Sequence, residues 1–64
     1  MDGNYREKIN KGSLVNIVQK KDQRSGELTE GIVKDLLTKV AFHHRGIKVR
    51  LETGEIGRVK EILE

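Results

Sequence analysis

The 64-residue sequence contains no cysteine. Neither a disulfide nor a thiolate metal site is available to support so short a chain, and the framework of secreted miniature domains is excluded. Aromatic residues number only two, Tyr5 and Phe42. Proteins that stack single-stranded bases usually display more aromatic surface than that, so the composition argues against a base-stacking platform. Long apolar runs are lacking as well. The longest is Val40-Ala41-Phe42, far short of the ~20 residues of a membrane-spanning helix. The opening residues, Met1-Asp2-Gly3-Asn4-Tyr5, include no apolar core of a signal peptide. The expected location is the cytoplasm, with no membrane partner.

What is present is charge and periodicity. Charged residues make up 36% of the chain and hydrophobic residues 34%. That balance approaches the composition of disordered chains, but the apolar residues are clustered and periodic, which argues for a fold. The length allows one domain. Ordering each residue costs about 1.5 kcal/mol, so a single compact core in a small barrel or sandwich is the economical solution. Lys and Arg exceed Asp and Glu by 13 to 10, a net charge of +3. That modest excess allows an anionic partner without requiring one.

The organising stretch is residues 46–59. Ile47, Val49 and Leu51 alternate with Lys48, Arg50 and Glu52, the period of a half-buried antiparallel strand. Thr53-Gly54 breaks the run, and Ile56 and Val59 resume it. A two-residue loop at Thr53-Gly54 opposes Glu52 and Glu55, an unfavourable pairing of like charges; a three-residue loop with Gly54 left-handed avoids it. Ile56 and Val59 are three apart, and Gly57 between them is the natural place for a bulge. Residues 13–19 form another strand, with Val15 and Ile17 on one face and Leu14, Asn16 and Val18 on the other. Residues 1–10 read as a flexible N-terminal tail with a short helical turn at residues 6–8. The alternative is that Tyr5 and Ile9, Ile9 the better candidate, pin this segment over the core. Residues 11–64 then form the domain. Residues 20–26 make a polar, basic loop ending in a Ser25-Gly26 turn. Residues 27–40 are ambiguous. Leu28, Ile32 and Leu36 recur as on a helix, with Val33, Leu37 and Val40 completing the stripe. Gly31, in the middle, favours a strand with a bulge or bend there.

Four blocks of sequence carry a resemblance: residues 22–28 (DQRSGEL), 31–37 (GIVKDLL), 43–51 (HHRGIKVRL) and 54–59 (GEIGRV). Together they resemble the YwbE-like family of short microbial proteins of unassigned function, and the likeness runs from about Gly12 onward. One departure is the lack of any proline, where family members often carry one near His43; it bears on the conformation of that loop. The layout is also similar to KOW-type and other small SH3-like barrels, which often sit on ribosomes or transcription complexes and also bind peptides. The resemblance implies that residues 27–40 hold a strand. The expected fold is therefore all-β, a small SH3-like barrel of four or five antiparallel strands. Its expected core is Val15, Ile17, Leu28, Ile32 or Val33, Leu36 or Leu37, Ile47, Val49, Leu51, Ile56, Val59 and Ile62.

The candidate binding surface is the charged sheet face of Lys48, Arg50, Arg58 and Lys60, joined by Lys34 and widened by Lys20, Lys21 and Arg24 from the long loop. Such cations follow phosphates and gain affinity through counterion release. The bland reading is a solvated outer face, partly neutralised by Glu52 and Glu55. His43-His44 lacks a Cys or nearby carboxylate to complete a metal shell. In a strand the two rings also point to opposite sides, so no metal is expected. No nucleophile triad, phosphate loop or carboxylate pair stands out. The expectation is a protein without catalytic activity, cofactor or small-molecule substrate. Two functions follow. One is an accessory module for RNA or ribonucleoprotein. The other is a protein-interaction module at an exposed strand edge, suggested by Leu14 and Val18; self-association through that edge is its variant.

Overall fold

A computed structural model of the chain describes residues 3–64. The alternating and β-branched stretches are strands: β1 (Leu14–Gln19), β2 (Thr29–Leu36), β3 (Lys48–Leu51) and β4 (Ile56–Ile62). Each pairs antiparallel with its neighbour, and β4 returns to β1, closing a four-stranded barrel. The fold is the expected small SH3-like barrel. The ambiguous segment 27–40 holds strand β2 over Thr29–Leu36 and no helix, with Leu28, Leu37 and Val40 outside the strand.

Two register shifts explain where the side chains go. On β2, Val33 pairs with Leu51 and Asp35 with Arg50, leaving Lys34 as the extra residue of a bulge. Val33 is buried, Leu36 packs against the core beyond the bulge, and Leu28 precedes the strand. The spacing of four that suggested a helix is therefore not one buried stripe: Leu28 precedes the strand, Ile32 is only half-buried beside the buried Val33, and Leu36 comes inward after the bulge. Leu28 is 48% exposed and Leu37 37%, so neither joins the core. Gly31 is a regular position opposite Val15 rather than a bulge; a Cβ there would lie 2.5 Å from Leu51 Cδ1.

The second shift is on β4. Asn16 pairs with Glu61 and Ile17 with Val59, so Lys60 is the extra residue. The expected bulge at Gly57 is absent: Gly57 pairs in register with Val49 and Gln19. It is buried between strands, and a Cβ there would lie 2.5 Å from the Val18 carbonyl oxygen. With Gly57 and Val59 inward, Ile56 must face outward; it is 37% exposed, a correction to the expected core. The hairpin follows the three-residue form. Leu51 N–H donates to the Glu55 carbonyl at 2.8 Å, and Gly54 has φ +101°.

The core is Ile9, Val15, Ile17, Val33, Ile47, Val49, Leu51 and Val59, with Leu36 and Ile62 packed against it. Each fully buried aliphatic side chain contributes roughly 1.5–3 kcal/mol relative to exposure. Ile9 belongs to the segment read as a tail. Residues 3–10 instead lie on the barrel, which corrects that reading in favour of its alternative. Ile47 N–H donates to the Gly3 carbonyl at 2.7 Å, His43 N–H to the Asn4 carbonyl at 2.9 Å and Arg6 N–H to the Ala41 carbonyl at 2.8 Å. A 3-10 turn at Arg6–Lys8 then brings Ile9 inward. Met1 and Asp2, also assigned to the tail, lie outside the described residues. Among the described residues, no helix is long and apolar enough to cross a membrane.

Candidate nucleic-acid interface

The outward side chains of β3 and β4 and the start of the long loop line one groove. Arg58 is at its centre. It pairs across the sheet with Lys48 on β3 and with Val18 on β1. Lys60, displaced by its bulge, follows on the same side, and Lys20 enters from the end of β1. Arg45 comes from the loop before Ile47. The groove has two adjoining lobes of about 400 and 430 Å³ that share Val18, Gln23, Arg45 and Arg58. Its floor is Val18, Ile56 and Gly57, and no acidic residue is among those lining it.

Two hydrogen bonds hold the Arg45–Gly46 corner against the sheet. Arg58 Nη1 donates to the Gly46 carbonyl and Lys60 Nζ to the Arg45 carbonyl, both at 3.3 Å. The corner itself depends on Gly46, whose φ is +97° and whose missing Cβ leaves room for the Val59 carbonyl. These bonds orient the cations but leave their charge uncompensated. Lys48 directly opposite Arg58 is a like-charge pair, unfavourable by some tenths of a kcal/mol. Among the described residues, neither makes an ion pair.

Of the residues proposed from sequence, Lys20, Lys48, Arg58 and Lys60 meet in this groove. The other four do not line it. Arg50 is turned to Asp35, with Nη1 3.4 Å from Oδ2. Lys34 is exposed on the β2 bulge. Lys21 is near Glu55, whose carboxyl is held below its usual range by the Thr53 hydroxyl, a backbone hydrogen bond and the Lys21 charge. Arg24 lies in the exposed turn after the 3-10 segment Lys20–Asp22. Sequence reasoning missed Arg45. No local pattern marks it, because the position of its corner depends on hydrogen bonds from β4 that span twelve and fifteen residues.

His43 and His44 adjoin this corner. Their rings are stacked rather than opposed, with centroids 5.1 Å apart and planes 10° from parallel. The expected divergence assumed a strand, but both residues lie in a loop. Arg45 N–H donates to His43 Nδ1 at 3.1 Å, which leaves the neutral ring's proton on Nε2. Desolvation lowers the His43 pKa from its ordinary 6.5, with further lowering from Arg58, His44 and Arg45. No third His, Cys, Asp or Glu joins the two rings in a group suited to a metal among the described residues.

The fold and groove define a class: a small closed β-barrel with a cationic cleft on one wall. The chain belongs to the family described as "Uncharacterized conserved protein (DUF2196)", whose profile matches residues 2–62. It is 57% identical over 63 residues to the uncharacterized protein YwbE of Bacillus subtilis (strain 168), covering 98% of this chain and 97% of that protein. The resemblance to the YwbE-like family is thereby confirmed. No solved structure matches the chain.

Proposed function

We propose that this protein is a non-catalytic module that binds structured RNA, free or within a ribonucleoprotein, through the groove on β3 and β4. The observation that carries the reading is the concentration of Lys20, Arg45, Lys48, Arg58 and Lys60 around one groove with no acidic lining residue. A folded domain tolerates Lys48 opposite Arg58 at a cost, and a phosphate between them reverses the sign of that interaction. The groove is concave with a narrow apolar floor, which suits a polyanion backbone lying across it rather than a small molecule enclosed within it.

The competing strand-edge reading has less support. Every strand pairs with a neighbour on both sides. Val18 is 6% exposed at the groove floor, and Leu14 exchanges backbone hydrogen bonds with Leu63 and Glu64.

The test is titration of a labelled RNA hairpin at low and high salt with the native protein and the Lys48→Glu/Arg58→Glu double variant. The expected result is salt-sensitive binding by the native protein and none by the variant, with both folded by circular dichroism. Absence of binding at low salt, or binding indifferent to salt, overturns the proposal. So does capture of a protein partner that survives nuclease and high salt while the hairpin fails to bind.

A further inference from the structure

The only two aromatic residues in the chain stand together on its surface. Tyr5 and Phe42 face each other across an isolated antiparallel bridge. The flanking hydrogen bonds, Arg6 N–H to the Ala41 carbonyl and His43 N–H to the Asn4 carbonyl, make this the narrow type of pair, in which side chains approach most closely. The ring centroids are 5.0 Å apart at 54°, yet Tyr5 remains 43% exposed and Phe42 50%. Aromatic side chains supply the largest burial available to a small core. Here both are withheld from it and displayed side by side.

Their surroundings are cationic. Lys8 Nζ lies 6.0 Å from the Tyr5 ring centroid. Arg6 is fastened by Nε to the Thr38 carbonyl at 2.9 Å. Glu7, in the same 3-10 turn, is the neighbouring acid. The loop that carries Phe42 runs through the stacked His43–His44 step to Arg45, which enters the groove three residues later. Three residues span at most about 10 Å, so the aromatic pair and the phosphate-binding groove are near neighbours along one loop.

We propose that Tyr5 and Phe42 form a nucleobase-stacking site, so that the RNA recognised has an unpaired nucleotide leaving the segment bound in the groove. This rests on the RNA-binding reading and specifies its ligand. The groove holds phosphates without regard to base, and the aromatic pair adds a π surface that any unpaired base accepts and a fully paired helix withholds. Two aromatic residues are little π surface, but the fold gathers both rings into one exposed pair.

The experiment compares a blunt-ended RNA hairpin with the same hairpin bearing a short single-stranded tail. The native protein binds the tailed RNA more tightly. Phe42→Ala and Tyr5→Ala lower affinity for the tailed RNA by about 5- to 150-fold per stacked base lost and leave the blunt hairpin unchanged. Phe42→Leu keeps an apolar side chain against Tyr5 without a π face; it behaves like Phe42→Ala if stacking is the cause. The chain has no tryptophan, so Phe42→Trp introduces a single tryptophan, excitable apart from Tyr5, that retains the preference and is quenched by tailed RNA. If the native protein binds both RNAs equally, or if Phe42→Leu preserves the preference, the stacking site is overturned and the groove reading stands. If it binds neither, both fall.

Discussion

The most informative perturbation removes one charge at a time and reads the salt dependence of RNA binding. Five cations line the groove. Each phosphate neutralised on a duplex contributes about −0.9 to the slope of log K against log salt. Full engagement therefore gives a slope of about −4.5, a loss of about 500-fold in affinity between 50 and 200 mM salt. Arg58→Gln removes one contact and reduces the slope to about −3.6, with a loss of about 150-fold over the same range. Arg50→Gln leaves it unchanged, because that guanidinium is turned to Asp35, 3.4 Å away, and does not line the groove. Arg50 and Arg58 are chemically identical and both on the outer wall of the barrel, so the pair isolates geometry from net charge. Fluorescence anisotropy across four or five salt concentrations measures the slopes. Equal changes from the two variants would refute the reasoning, since the protein would then be acting as a diffuse cation.

Further predictions concern the fold and titration. Gly46 and Gly26 both have positive φ, but only at Gly46 would a Cβ run into backbone, the Val59 carbonyl. Gly26→Ala should cost about 1–2 kcal/mol and Gly46→Ala about 3 kcal/mol or more; equal shifts in urea midpoint would contradict the packing. Ile47 is fully buried, so Ile47→Ala should cost about 2–5 kcal/mol, enough to unfold much of a chain whose whole stability is about 3–10 kcal/mol; the thermal transition reports it. His43 has its pKa lowered from 6.5 by desolvation and then by Arg58, His44 and Arg45. The folded state therefore binds fewer protons than the unfolded one just below pH 6.5. The stability tied to this ring is present above that value and is lost as pH falls through the folded pKa. RNA phosphate near the ring favours its protonated form, so affinity should rise over the same fall in pH. An NMR titration of the imidazole with and without RNA should show its pKa raised in the complex.

Local alternation made the centre of the barrel legible. Val15, Ile17, Val49 and Leu51 are buried where the period of two puts them, and the hairpin loop follows from the cost of opposing Glu52 and Glu55. The errors arise where a bulge resets that period. Lys34 puts the inward residues Val33 and Leu36 three apart instead of two, and Lys60 moves the phase break away from Gly57, sending Ile56 outward. A bulge is set by pairing with a distant strand, which no local window contains. The same holds for the candidate site. Lys48 and Arg58 were legible because hairpin register places them opposite each other. Arg45 was not, because long-range hydrogen bonds to its corner bring it in. Arg50 was misassigned because its partner Asp35 is on another strand.

Closure of the sheet by β1 against β4 has a consequence for how the molecule comes into being. Val15 pairs with Ile62, and Leu14 N–H donates to the Glu64 carbonyl at 2.8 Å. During synthesis the first strand must wait, unsatisfied along one side, until residues 56–64 have been made. Folding is then limited by joining positions almost fifty residues apart in sequence, an entropic step that places so short a chain among the slower small domains. Relocating the ends by circular permutation, so that β4 leads through residues 1–13 into β1, should speed refolding while leaving the finished barrel unchanged.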